Sequence, residues 1–335
     1  MSREVALPAP LGLLAFADRA REYADQARAT NTRRAYANDV RVFTLWCESK
    51  GFEALPAHPS VVLSYLMDHA TTLKVTTLQR HLAAIREGHA AAGHVLDTAN
   101  HAFRNAWRGL KRRHGQPAAK KRPLMTVDLR NAVVVLPDTL TGIRDRALLL
   151  VGFAAALRRS ELAGLEITPR AGGGWIEETG DGLVIHLGRS KTDQQGEGAE
   201  IGVPYGSNPE TCPVRSYRAW VNVSGLKEGA AFRAINRHGQ LATDAIADRT
   251  VARIVQRSVE AAALAGGSTP EEAAKLAAAY SGHSLRSGLA TSAAANDAPG
   301  YAIQKQLRHK RFDTTSGYIR SGQLFKQNPA GMAGL

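Results

Sequence analysis

Four short segments in the second half of the sequence carry residue types that can act on a phosphate group. His283 and Arg286 are three residues apart, so a helix would place an imidazole and a guanidinium on one face. Arg158 and Lys191 supply two further cations upstream, and Tyr318 near the C-terminus carries a hydroxyl that could serve as a nucleophile. Each segment taken alone is equally typical of a surface ion pair, a solvated turn or a packing residue. Their combination and order along the chain therefore carry the interpretation.

The charge of the chain favours a polyanionic partner. Lys and Arg number 43 against 30 Asp and Glu, a net charge of +13, which attracts nucleic acid or, alternatively, an anionic membrane surface. Cys47 and Cys212 form neither a disulfide framework nor a zinc-ligand spacing, as expected in a reducing cytoplasm. The apolar run over 147–157 is shorter than the ~20 residues that span a bilayer. The apolar stretch over 5–17 is interrupted by prolines, so we expect a loop and a helix there rather than a secretion signal.

Hydrophobic periodicity predicts a helical N-terminal domain over residues 1–114. Apolar residues recur at helical spacing in four stretches with short links between them, which is typical of a small helical bundle; the stretches are 32–50, a helix from 60, one around 78–89 and one around 103–110. The pattern then gives way to a run of Lys and Arg that contains Pro117. This run predicts a basic extended linker over residues 115–124 that can follow a phosphate backbone.

The remaining residues, 125–335, predict a second domain of mixed α and β structure. The predicted helices cover 126–135, 142–155, 158–165, 213–222, 244–264, 273–280, 284–295 and 300–308. Residues 183–186 are expected to pair with 200–203 in a β-hairpin whose polar turn carries Lys191. Thr269 to Glu272 form a predicted capping box with proline at the first helical position, a strong start for a helix.

Taken in order, the residues that could do chemistry resemble the active site of the tyrosine recombinase, or phage integrase, family. Ala-Leu-Arg-Arg-Ser-Glu-Leu over 156–162 resembles the family's first-arginine motif, and its register favours Arg158 over Arg159. Lys191 lies where the family has a lysine, and His-Ser-Leu-Arg over 283–286 is similar to its His-x-x-Arg box.

The last motif and the N-terminal region extend the resemblance to about residues 25–327. Leu-x-His309, followed by Asp-Thr-Thr and by Tyr318 nine residues after the histidine, resembles the family's final motif. The run over 31–36, Asn-Thr-Arg-Arg-Ala-Tyr, resembles the start of its helical core-binding domain. One departure is Arg308, which stands where the motif usually carries glycine. We expect it to add a charge near the site and to tune contact with DNA.

The resemblance implies a set of catalytic residues, which are Arg158, Lys191, His283, Arg286, His309 and Tyr318, with Glu161 in support. Breaking a phosphodiester passes through a state with extra negative charge, which guanidiniums can stabilise at any working pH. Tyr318 would attack phosphorus with His283 as the candidate base, and Lys191 would protonate the leaving 5′-oxygen. Glu161 would orient an active-site cation. The family's product is a 3′-phosphotyrosyl link and a free 5′-hydroxyl, formed without ATP, metal or cofactor.

The resemblance also implies the fold and the partners. It predicts a mainly α protein, with a SAM-like helical core-binding domain and a mixed α+β catalytic domain that clamp double-stranded DNA between them. The candidate DNA contacts are Arg33, Arg34, Arg112, Arg113, Lys120, Lys121 and Arg122. Recombination needs a dimer on each site and a tetramer in synapsis, with accessory DNA-bending proteins as further candidate partners. The expected location is the cytoplasm, in association with the nucleoid and without membrane contact.

Three other functions compete with recombination. A type IB topoisomerase uses similar chemistry to relax supercoils, but the helical N-terminal domain argues against it. A DNA-binding regulator with a dead site would not need every expected catalytic group. A metal-dependent nuclease or transposase would need clustered carboxylates, and the sequence shows none that suggest such a site.

Overall fold

The chain divides into two compact units, residues 1–119 and 120–335. The computed structural model describes residues 19, 23, 30–117, 120–188, 198–323, 326 and 333. In those ranges, no helix combines the length and the apolar character that a membrane crossing requires.

The first unit contains the four helices that its periodicity predicts. They are α1 (Thr30–Lys50), α2 (Pro59–Asp68), α3 (Val75–Ala91) and α4 (His101–His114). Their apolar faces meet in one core, in which Phe43, Tyr65 and Ile85 are almost fully buried. The buried carboxylate of Asp39 accepts hydrogen bonds from Nε and Nη2 of Arg80 at 2.7 and 2.9 Å, so its charge is compensated.

The second unit is built mainly of helices, with two small sheets. The helices are α5 (Thr126–Val134), α6 (Leu140–Ala154), α7 (Arg159–Ala163), α8 (Pro213–Ser224), α9 (Asp248–Ala265), α10 (Pro270–Ala278), α11 (Ser284–Ala295), α12 (Gly300–Leu307) and α13 (Phe312–Gly322). The strands are β1 (Leu165–Glu166), β2 (Gly174–Glu178), β3 (Gly182–Leu187), β4 (Ala199–Pro204), β5 (Arg233–Ile235) and β6 (Leu241–Ala245). A one-turn 3₁₀ helix spans Pro209–Thr211.

The larger sheet confirms the predicted hairpin. Its order is β1-β2-β3-β4, parallel between β1 and β2 and antiparallel elsewhere. Leu183 pairs with Val203 and His186 with Glu200, which is the register expected from the sequence. Residues 188 and 198 flank the connection between the two strands.

Two predicted helix bounds are wrong because strands take part of their residues. Residues 241–245 form β6, which pairs with β5 across a turn that includes Gly239 at φ +78°, so α9 begins at Asp248 rather than at 244. Leu165 and Glu166 pair with β2, so α7 ends at Ala163. In both places pairing with a neighbouring strand outweighs local helical propensity.

The N-terminal half of α11 packs against the chain that enters the second unit. The Leu124 N–H donates to the carbonyl of Ser284 at 2.9 Å, and a Cβ on Gly288 would lie 1.9 Å from the carbonyl oxygen of Leu124. Only glycine permits that approach. The contact fixes the helix that carries the His-x-x-Arg residues, and it also fixes the last residues of the predicted linker.

Candidate active site

Helix α11 begins with the two residues that the His-x-x-Arg spacing singled out. His283 is the residue before its first turn and is partly exposed, while the Arg286 side chain points inward and is only 1% exposed. The Arg286 guanidinium donates from Nη1 to the carbonyl of Ala156 at 2.6 Å and from Nη2 to the carbonyl of Leu307. These bonds join α11 to the ends of α6 and α12.

The corner after α6 positions the first arginine. Ala156 has φ +48°, a left-handed conformation that costs a non-glycine residue about 1–2 kcal/mol. Its carbonyl oxygen is thereby available to Arg286. Two residues later, Nη1 of Arg158 lies 2.5 Å from Oε1 of Glu161, and the backbone N–H of Arg158 donates to Oε2 of the same carboxylate at 2.8 Å.

The neighbouring arginine has a different environment. Nη2 of Arg159 lies 2.9 Å from the carboxylate of Asp248 on α9, and its side chain passes beside Gly282. The positive charge of Arg158, by contrast, acts on both His283 and His309. The choice of Arg158 over Arg159 stays a prediction of the motif, and the pairing of Arg159 with Asp248 is compatible with it.

Helix α13, which the sequence analysis did not predict, places the tyrosine beside the histidine of α11. The hydroxyl of Tyr318 lies 3.1 Å from Nε2 of His283. The ring of His309 stacks near that of Tyr318, with centroids 6.1 Å apart and planes 20° from parallel. Nδ1 of His309 is 2.9 Å from the hydroxyl of Thr315, one turn before Tyr318 on the same helix.

The arginines keep the two imidazoles neutral. Burial, together with the charges of Arg286 and Arg158, lowers the pKa of His283 below its ordinary value. The same causes, with Arg308 added, lower the pKa of His309 to about 4. Burial and the two neighbouring guanidiniums lower the pKa of Arg286 to about 10, so this side chain still carries its charge at neutral pH.

Glu161 is the acid that compensates this positive charge. Burial alone would raise the pKa of its carboxyl group, but Arg308 and the backbone and side-chain donors of Arg158 outweigh that effect and hold the pKa below the ordinary value. Oε2 accepts from Nη2 of Arg308 at 2.8 Å, while Oε1 faces Arg158. The carboxylate thus bridges two of the arginines.

Arg308 lies inside the site rather than on its surface. Its side chain is 13% exposed, and besides Glu161 it donates to the carbonyls of Ala155 and Ala156 at 3.2 Å each. The expected extra charge is therefore present near the site. Its Nη1 and Nη2 atoms donate to protein acceptors, while the expectation that Arg308 tunes contact with DNA stays a prediction.

The other candidate residues are Lys191 and the proposed DNA contacts. Lys191 lies outside the described residues. Arg33 and Arg34 are exposed on α1, and Arg112 and Arg113 are exposed in the last turn of α4. Lys120, Lys121 and Arg122 are also exposed at the start of the second unit. Within that unit, Lys121 Nζ donates to the carbonyl of Ala278 at 2.6 Å, and Arg122 lies over the ring of Tyr280 at 5.6 Å.

Three groups at the site were not identified from the sequence. They are the hydroxyl of Thr315 and the carbonyls of Ala156 and Leu307. Thr315 was visible within the Asp-Thr-Thr run, but nothing in that run indicates which partner it binds. Among the described residues, no group of three or more His, Cys, Asp or Glu side chains is arranged to hold a metal ion.

Comparison with known proteins identifies similar sequences and folds. The family model described as "Phage integrase family" matches residues 127–323. The chain is 34% identical over 314 residues to the integrase/recombinase xerD homolog of Selenomonas ruminantium, which covers 92% of this chain and 87% of that protein. It is 27% identical over 297 residues to the tyrosine recombinase XerC of Pelobacter propionicus, covering 86% and 84%.

Solved structures share the fold at low sequence identity. Lambda integrase (75–356), as a dimer bound to a COC′ core site, matches with a TM-score of 0.58 and 14% identity over 94% of this chain and 96% of that one. The Tn1549 transposon integrase, in complex with transposon right end DNA, matches with a TM-score of 0.57 and 12% identity over 96% and 98%.

Proposed function

The chain belongs to the phage integrase family, and we propose that it is a site-specific DNA recombinase that cuts and rejoins strands through Tyr318. One observation carries this proposal. The hydroxyl of Tyr318 on α13 lies 3.1 Å from Nε2 of His283, near the buried Arg286. His283 and Arg286 both lie at the start of a different helix, α11. A nucleophile, a base and fixed positive charge in one place suit attack on a phosphodiester.

Positive charge does most of the work on the phosphate in this proposal. Arg158 and Arg286 bind the non-bridging oxygens and stabilise the additional charge of the transition state, with His309 as a third donor. Their geometry is fixed before DNA arrives, because Arg286 is held by two carbonyls and Arg158 by Glu161. Little reorganisation is then needed during the reaction.

Proton transfer uses a base and an acid. His283 is neutral at pH 7, since its pKa lies below the ordinary value, and it is within hydrogen-bonding distance of the phenol whose proton it accepts. Lys191 remains the proposed acid for the leaving 5′-oxygen. The phosphorus–oxygen bond to the 5′-oxygen breaks as that to Tyr318 forms. The ester keeps the energy of the broken bond, so a 5′-hydroxyl can reverse the reaction without ATP or a cofactor.

The partners follow from the same proposal. The substrate is a double-stranded DNA site that the helical unit and the catalytic unit clamp, with the basic residues between them on the phosphate backbone. Two copies of the chain act on one site and four in synapsis. Lambda integrase as a dimer on a core site supports this arrangement. The proposed location is the cytoplasm with the nucleoid, where such DNA lies.

Covalent trapping tests the proposed nucleophile. Full-length protein is incubated with sheared genomic DNA of the organism that encodes it, denatured, and the attached fragments are sequenced. We expect Tyr318→Phe to bind the recovered DNA as wild type does but to form no covalent adduct, because the phenolic oxygen is missing. Tyr301→Phe is the matched control, since Tyr301 is 74% exposed on α12 and should form the adduct normally.

Two outcomes would count against the proposal. An adduct that persists in Tyr318→Phe would remove the tyrosine from its role. Relaxation of a supercoiled plasmid, without exchange between two copies of the recovered site, would identify a topoisomerase instead.

A further inference from the structure

Arg308 occupies its position at two costs that glycine would avoid. Its backbone has φ +54°, in the left-handed region at the C-terminal end of α12, where glycine is the favoured residue. Its Nε–H is buried and has no acceptor within the described part of the chain, an unfavourable state for a donor. Because an arginine at this position costs stability, we infer that Arg308 contributes to a property of the protein other than the stability of the fold.

The contacts of Arg308 lead to Arg158. Its Nη1 and Nη2 donate to the carbonyls of Ala155 and Ala156, and these bonds anchor the guanidinium to the corner after α6. Its Nη2 also donates to Oε2 of Glu161, whose other oxygen is 2.5 Å from Arg158. Arg308 therefore holds the carboxylate that in turn holds Arg158.

Ala156 also connects Arg308 to Arg286. The carbonyl of Ala156 accepts from both Arg308 and Arg286. Three guanidiniums are thus joined through one carboxylate and one carbonyl. Removing Arg308 would take its charged donor away from Oε2 of Glu161 and leave the backbone N–H of Arg158 on that oxygen. The carboxylate would then orient the Arg158 guanidinium less firmly.

We propose that Arg308 is a positioning residue that locks the Glu161–Arg158 pair in the geometry required for strand cleavage. This inference rests on the proposed function. The inference predicts that Arg308 contributes to the rate of the reaction and not to the stability of the fold. An arginine with a purely structural role would contribute to stability and not to the rate.

The main test compares Arg308→Gly with Arg146→Gln. Arg146 is a matched control because, like Arg308, it binds backbone carbonyls and one carboxylate, namely the carbonyls of Val133 and Leu136 and the carboxylate of Asp138. For Arg308→Gly we expect an unfolding midpoint equal to or above wild type, unchanged affinity for DNA, and Tyr318 attachment at saturating DNA slowed about 10- to 100-fold, the range for losing a hydrogen bond between charged groups. For Arg146→Gln we expect a lower midpoint and an unchanged attachment rate.

Arg308→Lys should restore part of the rate, because a lysine keeps the charge but reaches fewer acceptors. A wild-type attachment rate in Arg308→Gly would overturn the inference. So would a loss of rate that is fully matched by a loss of folded protein.

A second measurement separates this inference from the proposed function. The carboxyl pKa of Glu161 is followed by NMR in the free protein, without DNA. We expect Arg308→Gly to raise that pKa toward its ordinary value, because the charge of Arg308 is the largest of the effects that lower it. If wild type never attaches to DNA, the proposed function fails, yet this titration still decides whether Arg308 holds Glu161. An unchanged pKa would refute the lock.

Discussion

At the scale of single residues, the site is a cluster of positive charge with a buried acid at its centre. Arg158, Arg286 and Arg308 surround Glu161, and the two histidines stay neutral in their field. A neutral imidazole accepts a proton through one ring nitrogen and donates a hydrogen bond through the other, which suits His283 as the proposed base and His309 as the proposed donor.

The pH dependence of cleavage should report His283. Its pKa in the free protein is below 6.5, so the base is fully deprotonated well above that pH and becomes protonated below it. With DNA limiting, we expect the attachment rate to be constant from about pH 8 to pH 7 and to fall as the pH drops below about 6.5. Rapid-quench measurement of adduct formation checks this profile. A rate that keeps rising steeply above pH 7 would mean that a group with a higher pKa is the base.

Thr315 should position His309. Its hydroxyl is buried and lies 2.9 Å from Nδ1 of the imidazole. Thr315→Val keeps the shape but removes the hydrogen bond, so we expect attachment to slow about tenfold while the fold remains. Thr315→Ser keeps the hydroxyl and should retain most of the rate. Equal rates in the valine and serine variants would show that the hydroxyl does not act on His309.

At the scale of elements, the site depends on how three helix ends meet. Helix α11 brings His283 and Arg286, the corner after α6 brings Arg158, and α13 brings Tyr318. Gly288 permits the close contact between α11 and Leu124 that fixes the first of these elements.

Gly288→Ala should therefore destabilise the second unit. The added Cβ would meet the Leu124 carbonyl at 1.9 Å, a backbone atom that cannot move aside cheaply. We expect a loss of about 1–3 kcal/mol in the free energy of unfolding, as for other overpacked sites. Gly317→Ala is the control, because a Cβ on this helical glycine would have no neighbouring atom of the described residues within 4 Å and should be neutral or stabilising by up to ~1 kcal/mol. Denaturant titration compares the two, and equal midpoints would contradict the packing argument.

At the scale of the whole molecule, the chain forms two compact units and has a net charge of +13. Phosphate contacts from such a chain release counterions from DNA, so affinity should fall steeply with salt. Lys121 and Arg122 contact Ala278 and Tyr280 within the second unit, so their positions are set before DNA binds.

Two exposed arginines at the end of α4 provide a quantitative test. We expect Arg112→Gln with Arg113→Gln to weaken DNA binding and to reduce the slope of log affinity against log salt by about 2, because each phosphate contact contributes about 0.9. Gel-shift titrations at several salt concentrations measure the slope. Arg170→Gln is the control, since Arg170 is already paired with Glu166 at 2.6 Å. An unchanged slope in the double variant would remove α4 from the DNA contacts.

The sequence alone was sufficient for the parts of this protein that depend on local spacing. Helical periodicity located the bundle, alternation indicated the β3–β4 register, and short motifs singled out Arg286, His283 and Tyr318. These features are readable because each arises within a few residues of chain, where geometry is fixed by one element. The same locality explains the misplaced start of α9, whose first predicted residues pair instead with β5.

Only the tertiary structure decided how those segments meet. The acceptors of Arg286 lie 130 and 21 residues away along the chain, and the contact between Arg308 and Glu161 spans 147 residues. No local sequence pattern encodes contacts between residues so far apart along the chain, because these contacts depend on the packing of whole helices. The positions of Arg159, Thr315 and Arg308 were decided in the same way, since the role of each follows from its partner rather than from its place in a motif.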